Sequence, residues 1–199
     1  MKNAVLLVID VQNDFCPGGA LAVNGGDDVV PLINTLARDY EHVVLTQDWH
    51  PVGHSSFASQ HQGAAAFTQI EMPYGPQTLW PDHCIIGSSG AAFHNALGVP
   101  HAELIIRKGF RKEIDSYSAF FENDHKTPTG LGGYLKERGV SHITCVGLAF
   151  DYCVRYSAED AVKLGFEVEV IEAATRAINL GGTVEATKQS FAQRGITLL

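Results

Sequence analysis

Five short blocks rich in β-branched residues punctuate the chain, at 4–9, 42–46, 103–107, 142–146 and 167–171, and each runs into a polar or glycine-bearing turn. Helical periodicity fills the intervals at 28–39, 131–138, 153–164 and 184–193. Strands that alternate with helices build a parallel sheet covered on both faces, so the expected fold is a three-layer α/β/α sandwich, Rossmann-like or flavodoxin-like. Two stretches break the alternation. PGGALAVNGG at 17–26 reads as a loop or hairpin, and 49–100 is too long for a plain connection, which marks it as a functional insertion. No repeat or linker divides the 199 residues, so one domain spanning 1–199 is expected.

An apolar fraction of 45% can fill the core that such a sandwich needs. A formal charge of -8, with no cluster of Lys and Arg, argues against nucleic acid or an anionic membrane as partner and leaves a small molecule. The apolar run at the N-terminus is stopped by Asp10, too short for a signal-peptide core or a membrane span. The four cysteines (Cys16, Cys84, Cys145, Cys153) fall at irregular spacings without a CxxC pair, which points to free thiols in a reducing, cytoplasmic setting. Monomer and small homo-oligomer both remain open.

In open parallel sheets ligands collect beyond the carboxyl ends of the strands. Asp10, the Gln47-Asp48-Trp49-His50 run, Lys108 and the GLAFDYC turn all lie just past such ends. Asp10 closes a run of apolar residues where an unpaired carboxylate would be costly, and Lys108 is placed to pair with it. For Asp10, Lys108 and Cys153 to meet, the lysine strand is expected between the other two, an order of 2-1-3-4-5 for the five blocks. Cys153 follows a tight turn and opens a helical pattern, where the positive end of the helix dipole favours a thiolate. Asp48 and His50, two apart, project to one side of an extended segment, and His83 could complete a cation site of nitrogen and oxygen donors suited to Zn, Fe(II) or Mn. His54 offers either a further ligand or a partner that orients one. Phe15, Trp80 and Tyr117 could wall a flat aromatic ligand.

Taken together, VIDVQNDFCPGGALAV, TQDWHPVGHSSFAS, LWPDHC, RKGF, DSYSAFF and GLAFDYCV resemble the motifs of nicotinamidases in the isochorismatase-like cysteine hydrolase superfamily. The resemblance implies that Cys153 is the nucleophile, Asp10 its base and Lys108 the ion-pairing partner. It further implies a divalent transition metal, zinc first, on Asp48, His50 and His83, holding the ring nitrogen of nicotinamide. Phe15, Trp80 and Tyr117 would enclose the ring, and the backbone N–H groups of Ala149 and Cys153 would meet the oxyanion, beside a cis peptide at 148–149. The implied reaction is nicotinamide to nicotinic acid and ammonia within NAD salvage, with pyrazinamide as a second substrate. The chain departs from the family at Phe150, where Thr is common, so an aromatic ring must be accommodated in the turn. The rivals are a metal-independent amidase for N-carbamoyl or ureido compounds and a non-enzymatic flavodoxin-like binding module. Neither G-x-G-x-x-G nor a P-loop is present to support the latter.

Overall fold

The structure is a computed structural model and describes residues 3–199. In chain order its elements are β1 (Ala4–Ile9), α1 (Val29–Leu36), β2 (His42–Asp48), β3 (Gln69–Met72), β4 (Gly75–Thr78) and β5 (Leu104–Lys108). They continue as α2 (Leu131–Glu137), β6 (His142–Leu148), α3 (Arg155–Lys163), β7 (Glu167–Arg176), α4 (Thr183–Arg194) and β8 (Thr197–Leu198). β1 shows why the sheet has two covered faces. Ala4, Leu6 and Val8 enter one apolar cluster with Val29, Val30 and Ile33 of α1, while Val5, Leu7 and Ile9 enter another with Leu131, Leu135, Ala158 and Phe191 of α2, α3 and α4. A strand with period two and no polar face can be stable only between two such layers.

The six parallel strands run β5-β2-β1-β6-β7-β8, and β3 and β4 form a separate antiparallel hairpin inside the long insertion. The 17–26 loop forms turns without strand pairing. The expected order is therefore corrected: the lysine strand β5 lies at the sheet edge outside β2, rather than between β1 and β6. The physical reason is reach. Asp48 pairs with Lys108 in the β2–β5 register, and the long lysine stem crosses the end of β2 to deliver its ammonium beside Asp10 at the end of β1. The chain passes from β1 to β2 through α1 on one face and from β5 to β6 through α2 on the other. Neighbouring crossovers thus leave β1 and β6 in opposite directions and open a crevice at their carboxyl ends.

The helix expected from Cys153 starts differently. A π-helical turn spans Phe150–Val154, and the regular α-helix begins only at Arg155. Such widened turns are frequent where a side chain must be re-aimed at a site. Phe150 points out of the crevice into the lower core, edge-on to Phe191 of α4 with ring centroids 5.7 Å apart. Its ring thus replaces a hydroxyl with core packing. Truncation by Phe150→Ala is expected to cost about 3–5 kcal/mol, read as a lower urea midpoint at constant m-value.

Glu159 of α3 ties that helix to α4. Its carboxylate accepts from Arg155 Nε at 2.8 Å and Ser190 Oγ at 2.6 Å, with Arg194 Nε 3.6 Å away. Burial pushes this carboxyl up, but those bonds and the two guanidinium charges outweigh it and hold it below the ordinary glutamate value. A depressed folded-state pKa stabilises above the unfolded value of about 4.3, and the contribution is lost as pH falls through the folded value. Glu159→Gln should therefore flatten the acid side of the stability profile below about pH 4.3, as urea titrations at several pH values would record.

Candidate active site

The crevice is organised by a buried ammonium. Lys108 Nζ lies 2.8 Å from Asp10 Oδ2, 3.0 Å from Asp48 Oδ1 and 3.4 Å from Cys153 Sγ, and it donates to the Ser116 carbonyl at 3.0 Å. Burial alone would drive the proton off this lysine, but the charges of Asp10, Asp48 and Cys153 outweigh it and hold its pKa well above the usual lysine value. Asp10 reaches the site through a left-handed backbone (φ 49°), a conformation that Asp tolerates better than most residues. Thr46 locks that turn: its Oγ receives the Asp10 N–H at 3.1 Å and donates to Asp10 Oδ1 at 2.6 Å. Oδ2 faces the lysine and no hydrogen-bond donor is aligned on it, so it is the oxygen left to take a proton. Burial raises the Asp10 pKa, Asp48 adds to the rise, and Lys108 and Thr46 offset only part of it.

Cys153 sits in the π-helical turn on the other bank of the crevice. Gly147, just before it, has φ 108°, and a Cβ there would meet the Ile9 carbonyl oxygen at 2.1 Å, so only glycine lets β6 close on β1 at this level. The Leu148–Ala149 peptide is cis, and the Ala149 carbonyl receives the N–H groups of Tyr152 and Val154, both at 3.1 Å. Burial pushes the Cys153 thiol well above its ordinary value, Lys108 pulls it back only partly, and the Asp10 and Asp48 carboxylates push it further, the opposite direction from the lowering expected at a helix start.

Beside the lysine, Asp48 Oδ2 is 3.0 Å from His50 Nε2 and 3.3 Å from His83 Nε2. Each imidazole is anchored by its other nitrogen, His50 Nδ1 on the Gly109 carbonyl at 2.9 Å and His83 Nδ1 on the Pro81 carbonyl at 2.8 Å. Nδ1 of each ring faces a carbonyl that can only accept, which turns both Nε2 atoms toward one carboxylate oxygen. This donor set fits a divalent cation of the Zn, Fe(II) or Mn type, with carbonyls orienting the ligands from behind. The same geometry attracts a proton: burial lowers the His50 pKa, but Asp48 outweighs it and the net shift is upward. Gly109 has φ 67° and a Cβ there would lie 2.5 Å from His50 Cε1, so the residue after Lys108 makes room for the imidazole. His54 is already satisfied. Its Nε2 donates toward the Arg111 and Ile114 carbonyls and its Nδ1 bonds Ser56, and with His50 and Asp115 it forms a second group of donor atoms near one another.

A narrow cavity opens on Asp48, His83 and Cys153. Phe15, Trp80 and Tyr117 all line it, as expected, together with Tyr152. The Trp80 and Tyr152 rings meet edge-on at 4.8 Å, and Trp80 Nε1 donates to the Tyr117 hydroxyl at 3.2 Å, so the aromatic walls brace one another. Ala149 and Cys153 line the same cavity.

Residues outside the expected set also build the site. Gln12 receives the Asp48 N–H at 2.7 Å and donates to the Asp48 carbonyl at 2.8 Å and the Ala91 carbonyl at 2.9 Å, clamping the ligand-bearing strand end to the insertion. Asp115 contributes a third carboxylate to the cavity, held by the Ser116 N–H and by Gln77, with Oδ1 3.9 Å from His50 Nε2. Asp151, inside the nucleophile turn, accepts the N–H groups of Ile178 and Asn179 and the hydroxyl of Thr183. The only signal available in the sequence was their place within polar runs after apolar blocks, a setting that loop residues share.

Comparison with known proteins agrees with this geometry. The Isochorismatase domain family model matches residues 4–199. A nicotinamidase of Acinetobacter baylyi is 51% identical over 195 residues, covering 98% of this chain and 91% of the relative. Among solved structures, a nicotinamidase/pyrazinamidase of Acinetobacter baumanii superposes with a TM-score of 0.99 at 54% identity, covering 100% of this chain and 96% of that one. An L. infantum protein in complex with nicotinate gives a TM-score of 0.86 at 36% identity (99% and 92% covered). The pyrazinamidase of Pyrococcus horikoshii in complex with zinc gives 0.81 at 32% (99% and 98% covered). With its sheet, its crevice and its whole described length matched in this way, the chain belongs to the isochorismatase family.

Proposed function

We propose that this chain is a metal-dependent cysteine amidohydrolase that converts nicotinamide to nicotinic acid and ammonia, with pyrazinamide as a second substrate and a role in NAD salvage. The observation that carries the reading is the convergence of Cys153, Asp10 and Lys108 beside the Asp48, His50 and His83 donor set, with Cys153, Asp48 and His83 lining one aromatic cavity. Relatives named for this activity, one solved with nicotinate and one with zinc, point the same way. Sheet strands drawn from Ala4 through Leu198 support reading residues 1–199 as one hydrolase domain.

In the mechanism, Asp10 takes the proton of the Cys153 thiol as the sulfur attacks the carboxamide carbon. The raised pKa of the thiol favours the proton on sulfur, the raised pKa of Asp10 makes it a stronger base than an ordinary carboxylate, and Lys108 stays charged to stabilise the sulfur and carboxylate as the proton moves. The backbone N–H groups of Ala149 and Cys153 receive the oxyanion. Donors fixed in this manner contribute on the order of 3 kcal/mol each. Asp10 then returns its proton to the departing ammonia, and later draws one from the water that opens the thioester and releases the acid. Asp48, His50 and His83 would hold a divalent cation, zinc in our reading, which would supply a Lewis acid for the pyridine nitrogen. Phe15, Trp80 and Tyr117 press on the ring faces and edges and exclude aliphatic amides.

Four cysteines that are all buried, free thiols fit a cytoplasmic setting. Among the described residues no helix is long and apolar enough to cross a membrane, and a small-molecule substrate calls for neither nucleic acid nor membrane as partner.

Ammonia release from nicotinamide is the direct test. We expect turnover by the zinc-loaded chain, loss of most activity with a strong chelator and recovery on adding zinc back. A rate indifferent to chelation, or confined to N-carbamoyl compounds, would support the metal-independent rival. Cys153→Ala should lower kcat by at least about 10³-fold; a variant that keeps the parental rate would remove the thiol from the mechanism.

A further inference from the structure

Leu21 and Ile178 line the inner cavity, and the same two residues also line a second pocket beside it. The walls of this outer pocket are largely apolar: Ala22, Val23, Phe67, Pro81 and Leu180 join the two shared residues. The two chambers are therefore neighbours that share two aliphatic side chains, here called the septum.

Each half of the septum is held by the catalytic framework rather than by the loop it sits on. Leu21 is buried, and its N–H donates to the Asp14 carbonyl at 3.0 Å while Val23 N–H donates to the carbonyl of the ring-clamping Phe15, also at 3.0 Å. Ile178 follows the end of β7, and its N–H is received by Asp151 of the nucleophile turn at 2.9 Å, with Asn179 N–H on the other carboxylate oxygen at 2.8 Å. Across the outer pocket, Phe67 is 44% exposed yet stands edge-on to Trp80 at 6.0 Å, so the inner aromatic wall extends outward as an apolar surface.

From this arrangement we infer that the Leu21–Ile178 septum sets the ring size of the substrate, and that the outer pocket is an unused subsite for an apolar substituent on a pyridine carboxamide. The inference rests on the nicotinamide reading given above. With the septum intact, the inner chamber holds a single unsubstituted ring against Cys153, and a ring bearing alkyl or aryl groups toward the mouth must displace two packed side chains. With the septum shortened, the substituent passes into the outer pocket while the carboxamide keeps its place. Differences of one methylene in apolar pockets change discrimination by about 10-fold to 200-fold, so a two-residue barrier is large enough to decide selectivity.

The test uses the zinc-loaded full chain and nicotinamides carrying methyl, ethyl or phenyl at ring C5 or C6, with ammonia release as readout. The parent chain should lose kcat/KM steeply from unsubstituted to phenyl. In Leu21→Ala and Ile178→Ala the phenyl-to-unsubstituted ratio of kcat/KM should rise at least about 10-fold, and in the milder Leu21→Val and Ile178→Val it should rise by less. Phe67→Leu, which keeps an apolar side chain against Trp80 but narrows the aromatic surface of the outer chamber, should change the ratio for phenyl and leave that for methyl alone. Ratios within about twofold of the parent in both the Ala and the Val variants, with nicotinamide still hydrolysed, would overturn the septum. A parent chain that releases no ammonia from nicotinamide would instead overturn the substrate reading, and the septum with it.

Discussion

A single positive charge sealed from water holds this molecule's chemistry in place. The Lys108 ammonium is buried to 1% exposure among two carboxylates and a thiol that come from three other strand ends. Two buried carboxylates so close together would repel without it. Removing one partner from such a set leaves an uncompensated charge and typically costs about 3–5 kcal/mol. The surrounding devices serve this cluster. Thr46 locks the Asp10 turn, Gln12 clamps Asp48, and Gly147 lets the nucleophile strand approach.

Lysine also joins two sites that have separate tasks. One carboxylate beside it faces the thiol, and the other faces the imidazole pair. The thiol proposed as nucleophile and the imidazole pair proposed to anchor the ring are thus positioned by one side chain. Precise spacing between the two follows from the parallel register Asp48↔Lys108, which a hydrogen-bonded ladder maintains more rigidly than loops could.

Much of this was readable in the amino-acid order. Ala4–Ile9 declares itself because a strand buried on both faces has no polar position until it ends, which makes Asp10 conspicuous. The Asp48–His50 pair was visible as two donors on one side of an extended segment, and the alternation of strands and helices was enough to give three layers. Strand order was not readable. Periodicity reports which face a residue shows, not which strand lies beside it, and a lysine stem long enough to cross a neighbouring strand allows more than one order. The upward push on the Cys153 thiol escaped for a related reason: a helix start is local, whereas the burial and the carboxylates that oppose it come from distant segments. Gln12, Asp115 and Asp151 escaped because a polar residue beyond a strand reveals its bond partners only after the chain has folded.

The edge position of β5 has a bearing on how the protein fails. Every other strand that contributes a group to the triad is flanked on both sides, but the one carrying Lys108 is paired only with β2. Margins of a sheet open at lower free energy than its centre. Gentle denaturation would accordingly peel this border first, and catalytic competence would vanish while the interior remained protected against hydrogen exchange.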